Sequence, residues 1–239
     1  MGTPARFSNG VNNVSAIASS RNLPVPNPLV IASETNDFHR YTAADWTVTN
    51  TTTHYTIGLV AAAAARPGGG WLGIVAGGAT VNTDVGAVQI NPLSTYFTTS
   101  QEMWFEAKIL LANATNEQVM IGVGASAAAV APTDGIYFSK AAGSTSIDFT
   151  IRAGSSSTTA SAVGTATTSA MRFAAYYNGK DAVDAYIDGV KVYSQTTLTN
   201  LPASVVMGMF AAIKAGATAP TGAGLYVDYL SVSQRCSGR

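Results

Sequence analysis

Charge is what this sequence has least of. Asp, Glu, Lys and Arg make up 11% of its 239 residues, against roughly a quarter in an ordinary soluble domain. Its 13 basic and 13 acidic residues cancel to zero formal charge, so it has no basic footprint for a nucleic-acid partner. Cysteine is nearly absent as well. Cys236 stands alone close to the C-terminal end, which excludes an internal disulfide framework and a thiolate metal cluster. Two histidines, His39 and His54, leave little for an imidazole metal site or a Ser-His-Asp triad. No apolar run reaches the roughly 18 residues of a membrane helix. The run 57–65 stops at Arg66-Pro67. The first residues have no apolar signal-peptide core, so synthesis in a cytoplasm is expected. The Gly-rich stretch 65–73 has no Lys-Ser/Thr partner and opens no helix, so it is not a phosphate loop.

What is present is alternation. Val183, Ala185 and Ile187 occupy every second position, the period of a half-buried strand. Asp188-Gly189 follows, a pair suited to a tight hairpin turn, and Val190 and Val192 alternate on the return. Asn178-Gly179 marks an earlier turn. Similar texture predicts strands over 46–49, 54–61, 71–76, 87–90, 103–111, 118–125, 135–140, 146–152, 171–177, 183–187, 190–195, 205–213 and 225–233. Many short strands separated by Gly, Asn, Asp, Ser and Pro clusters indicate a sandwich or barrel. The Ala runs at 61–65 and 127–129 are too short for more than a helical turn. The low-complexity stretch 153–170 reads either as a loop or as weak Thr-rich strands.

Residues 1–45 differ. Pro24, Pro26 and Pro28 sit at every second position, which biases the chain to extended conformations without ladder donors. This segment is expected to be an extended arm, followed by a sandwich over 46–235 and a short tail at 236–239. Its large residues Arg6, Phe7, Val11, Leu23, Val25 and Leu29 are the candidates for attachment to another surface.

Four segments carry a resemblance: 102–110 (EMWFEAKIL), 134–140 (DGIYFSK), 173–192 (FAAYYNGKDAVDAYIDGVKV) and 225–235 (LYVDYLSVSQR). In this order they resemble the concanavalin A-like (laminin-G-like) jelly rolls. The resemblance implies an all-β, two-sheet antiparallel sandwich. The opening segments TPARFSNGVNNV and NDFHRYTAADWTVT resemble those of tailed-bacteriophage structural proteins. That resemblance implies a virion component on the capsid exterior, a head decoration (cement) protein. Its partners would be the major capsid protein and copies of itself, in a homotrimer.

Enzymatic chemistry is weighed on one strand. Hydrolases of the jelly-roll superfamily carry a Glu-x-Asp-x-Glu pattern whose acids share a strand face. Here that strand reads Glu102-Met103-Trp104-Phe105-Glu106, so both glutamates are in place and Trp104 stands where the central Asp would be. The expectation is therefore a protein that is not an enzyme, with no catalytic residues, metal or cofactor. Glu102, Trp104 and Glu106 form a candidate glycan face, with the indole as a stacking platform. The alternatives are a carbohydrate-binding module of the phage adsorption apparatus and, less favoured, a glycoside hydrolase. Asp84, Asp134 and Asp228 could supply oxygens to calcium but are dispersed in the sequence.

Overall fold

The structure is a computed structural model, describing residues 31–51, 54–61, 70–77, 84–91, 95–125, 131–154, 156–216 and 224–235. Among the described residues, sixteen strands and one 3-10 turn follow in chain order. They are β1 (Ile31–Asn36), the turn Ala43–Asp45, β2 (Trp46–Asn50), β3 (Tyr55–Val60), β4 (Trp71–Ala76), β5 (Val85–Ile90), β6 (Thr95–Phe97), β7 (Met103–Leu111) and β8 (Gln118–Ala125). Then come β9 (Asp134–Lys140), β10 (Ser146–Ala153), β11 (Ser156–Thr165), β12 (Met171–Tyr177), β13 (Val183–Ile187), β14 (Val190–Gln195), β15 (Val205–Lys214) and β16 (Gly224–Arg235).

These strands form two eight-stranded sheets. The first runs β14-β13-β12-β7-β16-β4-β3, with β1 also paired to β16. The second runs β11-β10-β9-β8-β15-β5-β2, with β6 also paired to β15. Each described pairing is antiparallel. The expected two-sheet sandwich is thus the observed architecture.

Alternation builds the core between the sheets. Met103, Phe105, Ala107 and Ile109 of β7 face inward with Phe173 and Ala175 of β12 and Val227, Leu230 and Val232 of β16. Ile121 and Val123 of β8 and Met209 and Ala211 of β15 meet them from the second sheet. Phe138 ties the layers together: its ring lies 5.0 Å from Phe149 in its own sheet and 5.0 Å from Phe173 in the other. A smaller apolar cluster of Val85, Ala87, Met120, Tyr137, Phe210 and Ala212 lies apart from this core. Tyr137 belongs to it because Gly122 leaves no side chain beneath the phenol: a Cβ there would sit 2.5 Å from that of Tyr137.

The hairpin chemistry follows the sequence. Asp188 and Gly189 adopt φ of 50° and 78°, the left-handed pair that matches strand twist. The Asp188 carboxylate accepts the Arg172 N–H at 2.9 Å. At the earlier turn, Asn178 Oδ1 accepts the N–H groups of Lys180, Asp181 and Ala182.

One expectation needs correction. The arm does not extend to residue 45. Ile31–Asn36 pairs with Leu230–Arg235, and Phe38 is fully buried against Trp46, with ring centroids 5.5 Å apart. Past Pro28 nothing interrupts the ladder, and the aromatic ring needs a core, so residues 31–45 join the sandwich. Of the two readings of 153–170, the Thr-rich strand is the one observed, since β11 occupies most of that stretch. Residues 1–30, with all six attachment candidates, the tail 236–239 and the Ala run 127–129 lie outside the described residues, as does most of 61–65.

One end of the sandwich buries charge. Lys140 is almost inaccessible, and its ammonium donates to the carbonyls of Thr115 (3.1 Å), Ala141 (3.1 Å) and Ser144 (3.0 Å). Those three acceptors match its three protons. Glu117 is fully buried, and neither carboxylate oxygen has a hydrogen-bond partner of good geometry. Burial pushes its pKa above the ordinary 4.5, opposed in part by nearby N–H groups and the Lys140 charge.

Two predictions follow from this packing. Phe138→Ala empties the contact between the sheets and lowers the unfolding free energy by about 3–5 kcal/mol, read from urea denaturation. Glu117 governs part of the pH dependence. Its neutral form supports the fold fully below the unfolded pKa, and that contribution is lost as pH rises through the raised folded value. Glu117→Gln should therefore flatten the decline of the urea midpoint above pH 4.5.

Candidate functional site

The outer face of the first sheet is set by the residues that β7 does not send into the core. Met103, Phe105 and Ala107 point inward, so Glu102, Trp104, Glu106 and Lys108 point outward. All three residues of the expected glycan face are therefore brought together on one surface. The neighbouring strands complete it by register. Trp104 stands opposite Tyr176 of β12 and Ser233 of β16, and Glu106 opposite Ala174 and Ser231.

Trp104 and Tyr176 stack, with centroids 5.2 Å apart and planes 29° from parallel. The Tyr176 hydroxyl donates to Glu102 Oε1 at 2.9 Å, and Arg235 approaches Glu102 Oε2 at 3.4 Å. Glu106 accepts from the Tyr229 hydroxyl and pairs with the Arg172 guanidinium. Burial, then the hydrogen bond and charge of Glu102, pushes the Tyr176 pKa up. Burial, then the charge and hydrogen bond of Glu106, does the same to Tyr229. Both phenols therefore remain protonated donors, and each fixes one carboxylate.

The remaining charges on this face are also paired. Lys108 reaches Asp228 at 2.6 Å and lies 5.4 Å from the centroid of the fully buried Trp71 ring. Asp184 accepts from Ser194 at 2.6 Å and meets Lys191 at 2.8 Å. Four cross-strand ion pairs thus occupy one face of a charge-poor chain. On the β16 side of Trp104 the side chains are small hydroxyls. Ser233 pairs with Ser33, and Ser231 with Thr35, whose hydroxyls are 2.7 Å apart. The indole N–H of Trp104 is buried without a hydrogen-bond partner.

Chemically, this surface offers an aromatic platform between two carboxylates. Glu102 and Glu106 are four residues apart on a strand, a Cα separation of about 13 Å, and each is held by its own tyrosine and arginine rather than by the other. The sequence showed the acids and the indole. It did not show Arg172, Tyr176, Tyr229 and Arg235, which reach the site only through strand register. Their alternation with core residues in β12 and β16 is the local signal that places them outward.

The other candidates are separate. The His54 Nδ1 lies 2.7 Å from a carboxylate oxygen of the fully buried Asp84. Asp134 accepts the Gly154 N–H at 2.9 Å, and Asp228 is taken by Lys108. The three aspartates considered for calcium are therefore engaged in different places. Among the described residues no group of three or more His, Cys, Asp or Glu could hold a metal ion.

No protein-family model matches the chain, and no curated protein matches it in sequence. Solved structures do match. An endo-1,3-β-glucanase from Streptomyces sioyaensis superposes with a TM-score of 0.63 at 13% identity, over 90% of this chain and 100% of that one. A prokaryotic β-1,3-1,4-glucanase (lichenase) derived from a mouse hindgut metagenome gives 0.58 at 12% identity, over 85% and 98%. Peanut lectin gives 0.54 at 8% identity, over 85% and 97%. The expectation of a protein that is not an enzyme is overturned by this comparison, because the similar structures include glucanases. At these identities the likeness is one of architecture: the chain has the concanavalin A-like jelly-roll fold shared by glucanases and lectins.

Proposed function

We propose that the outer face of the first sheet binds a β-linked glycan, with the Trp104–Tyr176 stack as its platform. The observation that carries this reading is the stacked pair at 5.2 Å, flanked along β7 by Glu102 and Glu106 and along β16 by small hydroxyls. A sugar ring presents C–H groups to an aromatic face and hydroxyls to the polar groups around it. The fold supports the reading, since glucanases and a lectin share it.

Hydrolysis of the bound glycan is a second reading. It is favoured by the two carboxylates on one strand face, each positioned by a tyrosine hydroxyl. In that role Glu106, beside Arg172, is suited to remain ionised, and the more peripheral Glu102 to exchange a proton with the leaving oxygen. Soluble β-1,3- and mixed-linkage β-glucans test both readings. Trp104→Ala should weaken binding at least about tenfold in calorimetry, in keeping with the loss of a stacked aromatic anchor. Glu106→Gln should retain binding and abolish release of reducing ends. Absence of binding by the parent chain contradicts the proposal.

The place of action is proposed from the bacteriophage resemblance. On that reading the chain is a virion component, and residues 1–30 attach the jelly roll to the major capsid protein. Zero net charge and the proline-spaced segment support it. Deletion of residues 2–30 should leave the sandwich folded by circular dichroism and abolish co-sedimentation with capsids. Retained co-sedimentation would remove those residues from the contact.

A further inference from the structure

The two sides of the sandwich end differently. On one side, β14 carries Lys191, and β11 is bulged, with Ala162 at a φ of 55° and a register break against β10. Charges and bulges are the usual protection of a sheet edge against pairing with another chain. On the other side the terminal strands are β2 and β3. From Trp46 to Val60 there is no Asp, Glu, Lys, Arg or Pro. Val48 is 40% and Leu59 49% exposed there.

Hydrogen-bond parity shows which backbone groups β2 presents. The Asn91 N–H donates to the Asp45 carbonyl at 2.8 Å. Asp45 and Asn91 lie directly opposite when the Trp46–Ile90 register is extended by one residue. Antiparallel ladders alternate between bonded and non-bonded pairs, so Thr47 and Thr49 bond inward to β5. The Thr51 hydroxyl accepts the Val85 N–H at 2.7 Å, in the same phase. Trp46, Val48 and Asn50 therefore turn their backbone polar groups to the edge that no other described strand pairs with. The Trp46 N–H is already used by the Ala43 carbonyl.

We propose that β2 is a self-pairing edge, through which two copies of the chain join by an antiparallel β2–β2 contact centred on Val48. The pattern is self-complementary about a two-fold axis. Each Val48 N–H donates to the Val48 carbonyl of the second copy, and each Asn50 N–H donates to the Trp46 carbonyl. The Trp46 N–H stays with the Ala43 carbonyl, so each outer pair contributes one hydrogen bond and the Asn50 carbonyl is left to solvent. Thr47 stands opposite Thr49 of the second copy, a favourable cross-strand pair. The second sheets of the two copies become one continuous sheet, and the exposed Val48 side chains meet at the axis. A chain of zero net charge has no long-range repulsion to oppose this approach.

Sedimentation velocity of the full chain across the micromolar range tests the proposal. The parent chain should sediment as a dimer that dissociates on dilution. The doubly substituted Thr47→Lys, Thr49→Lys chain places four lysines around the axis and should be monomeric, with an unchanged far-UV circular dichroism spectrum. Val48→Pro removes the central donors without touching the ladder to β5, and should also be monomeric. Ser157→Lys, on the opposite edge, should remain a dimer. A parent chain that is monomeric or trimeric, or a dimer that survives both β2 changes or is lost in Ser157→Lys, overturns the proposal.

Discussion

The two-residue period of Met103–Leu111 is the constraint on which the rest of the structure depends. That strand lies between β12 and β16 and fixes the register of both. One face of it fills the space between the sheets, and the other places Glu102, Trp104, Glu106 and Lys108 in a row. A slip of one residue would exchange the two sets. It would bury two glutamates and a lysine in an apolar core and expose Phe105. Core and site are therefore specified by the same alternation, and neither can shift without the other.

Charge scarcity has its explanation on that outer face. The chain has few ionic side chains, and eight of them form four cross-strand pairs on one sheet surface. Pairs of this kind, partly exposed, add little stability singly. Their effect is positional. They hold long side chains against the sheet, and with Tyr176 and Tyr229 they fix both carboxylates beside the Trp104 ring. A ligand approaching this surface meets a preorganised array with no net charge, which suits recognition by stacking and hydroxyl contacts.

The fold was largely legible in the sequence, because alternation and turn residues are local signals. The Asp188-Gly189 turn and the strands around it could be read directly. Strand β1 was obscured by the prolines just before it, which made an extended arm the natural reading until Phe38 was seen in the core. Strand β6 is only three residues long, and β11 is built from Ser, Thr and Ala with little apolar contrast. In the site, Glu102, Trp104 and Glu106 were legible because they share a strand. Their partners were not, since Arg172, Tyr176 and Tyr229 meet them only through the register of three strands distant in sequence. The absence of the central aspartate suggested a chain without chemistry, an expectation overturned by the glucanases among the structures that share its fold.

The central claim is that Trp104 is the contact surface for a glycan. The most direct measurement is the NMR spectrum of the indole N–H resonances as a soluble β-glucan oligosaccharide is added. The chain has three tryptophans: Trp46 lies in the core and Trp71 is fully buried beneath Lys108. Saturable movement of the Trp104 resonance, with Trp46 unmoved, is the result the account predicts. A Trp104 resonance unchanged at saturating oligosaccharide would contradict it.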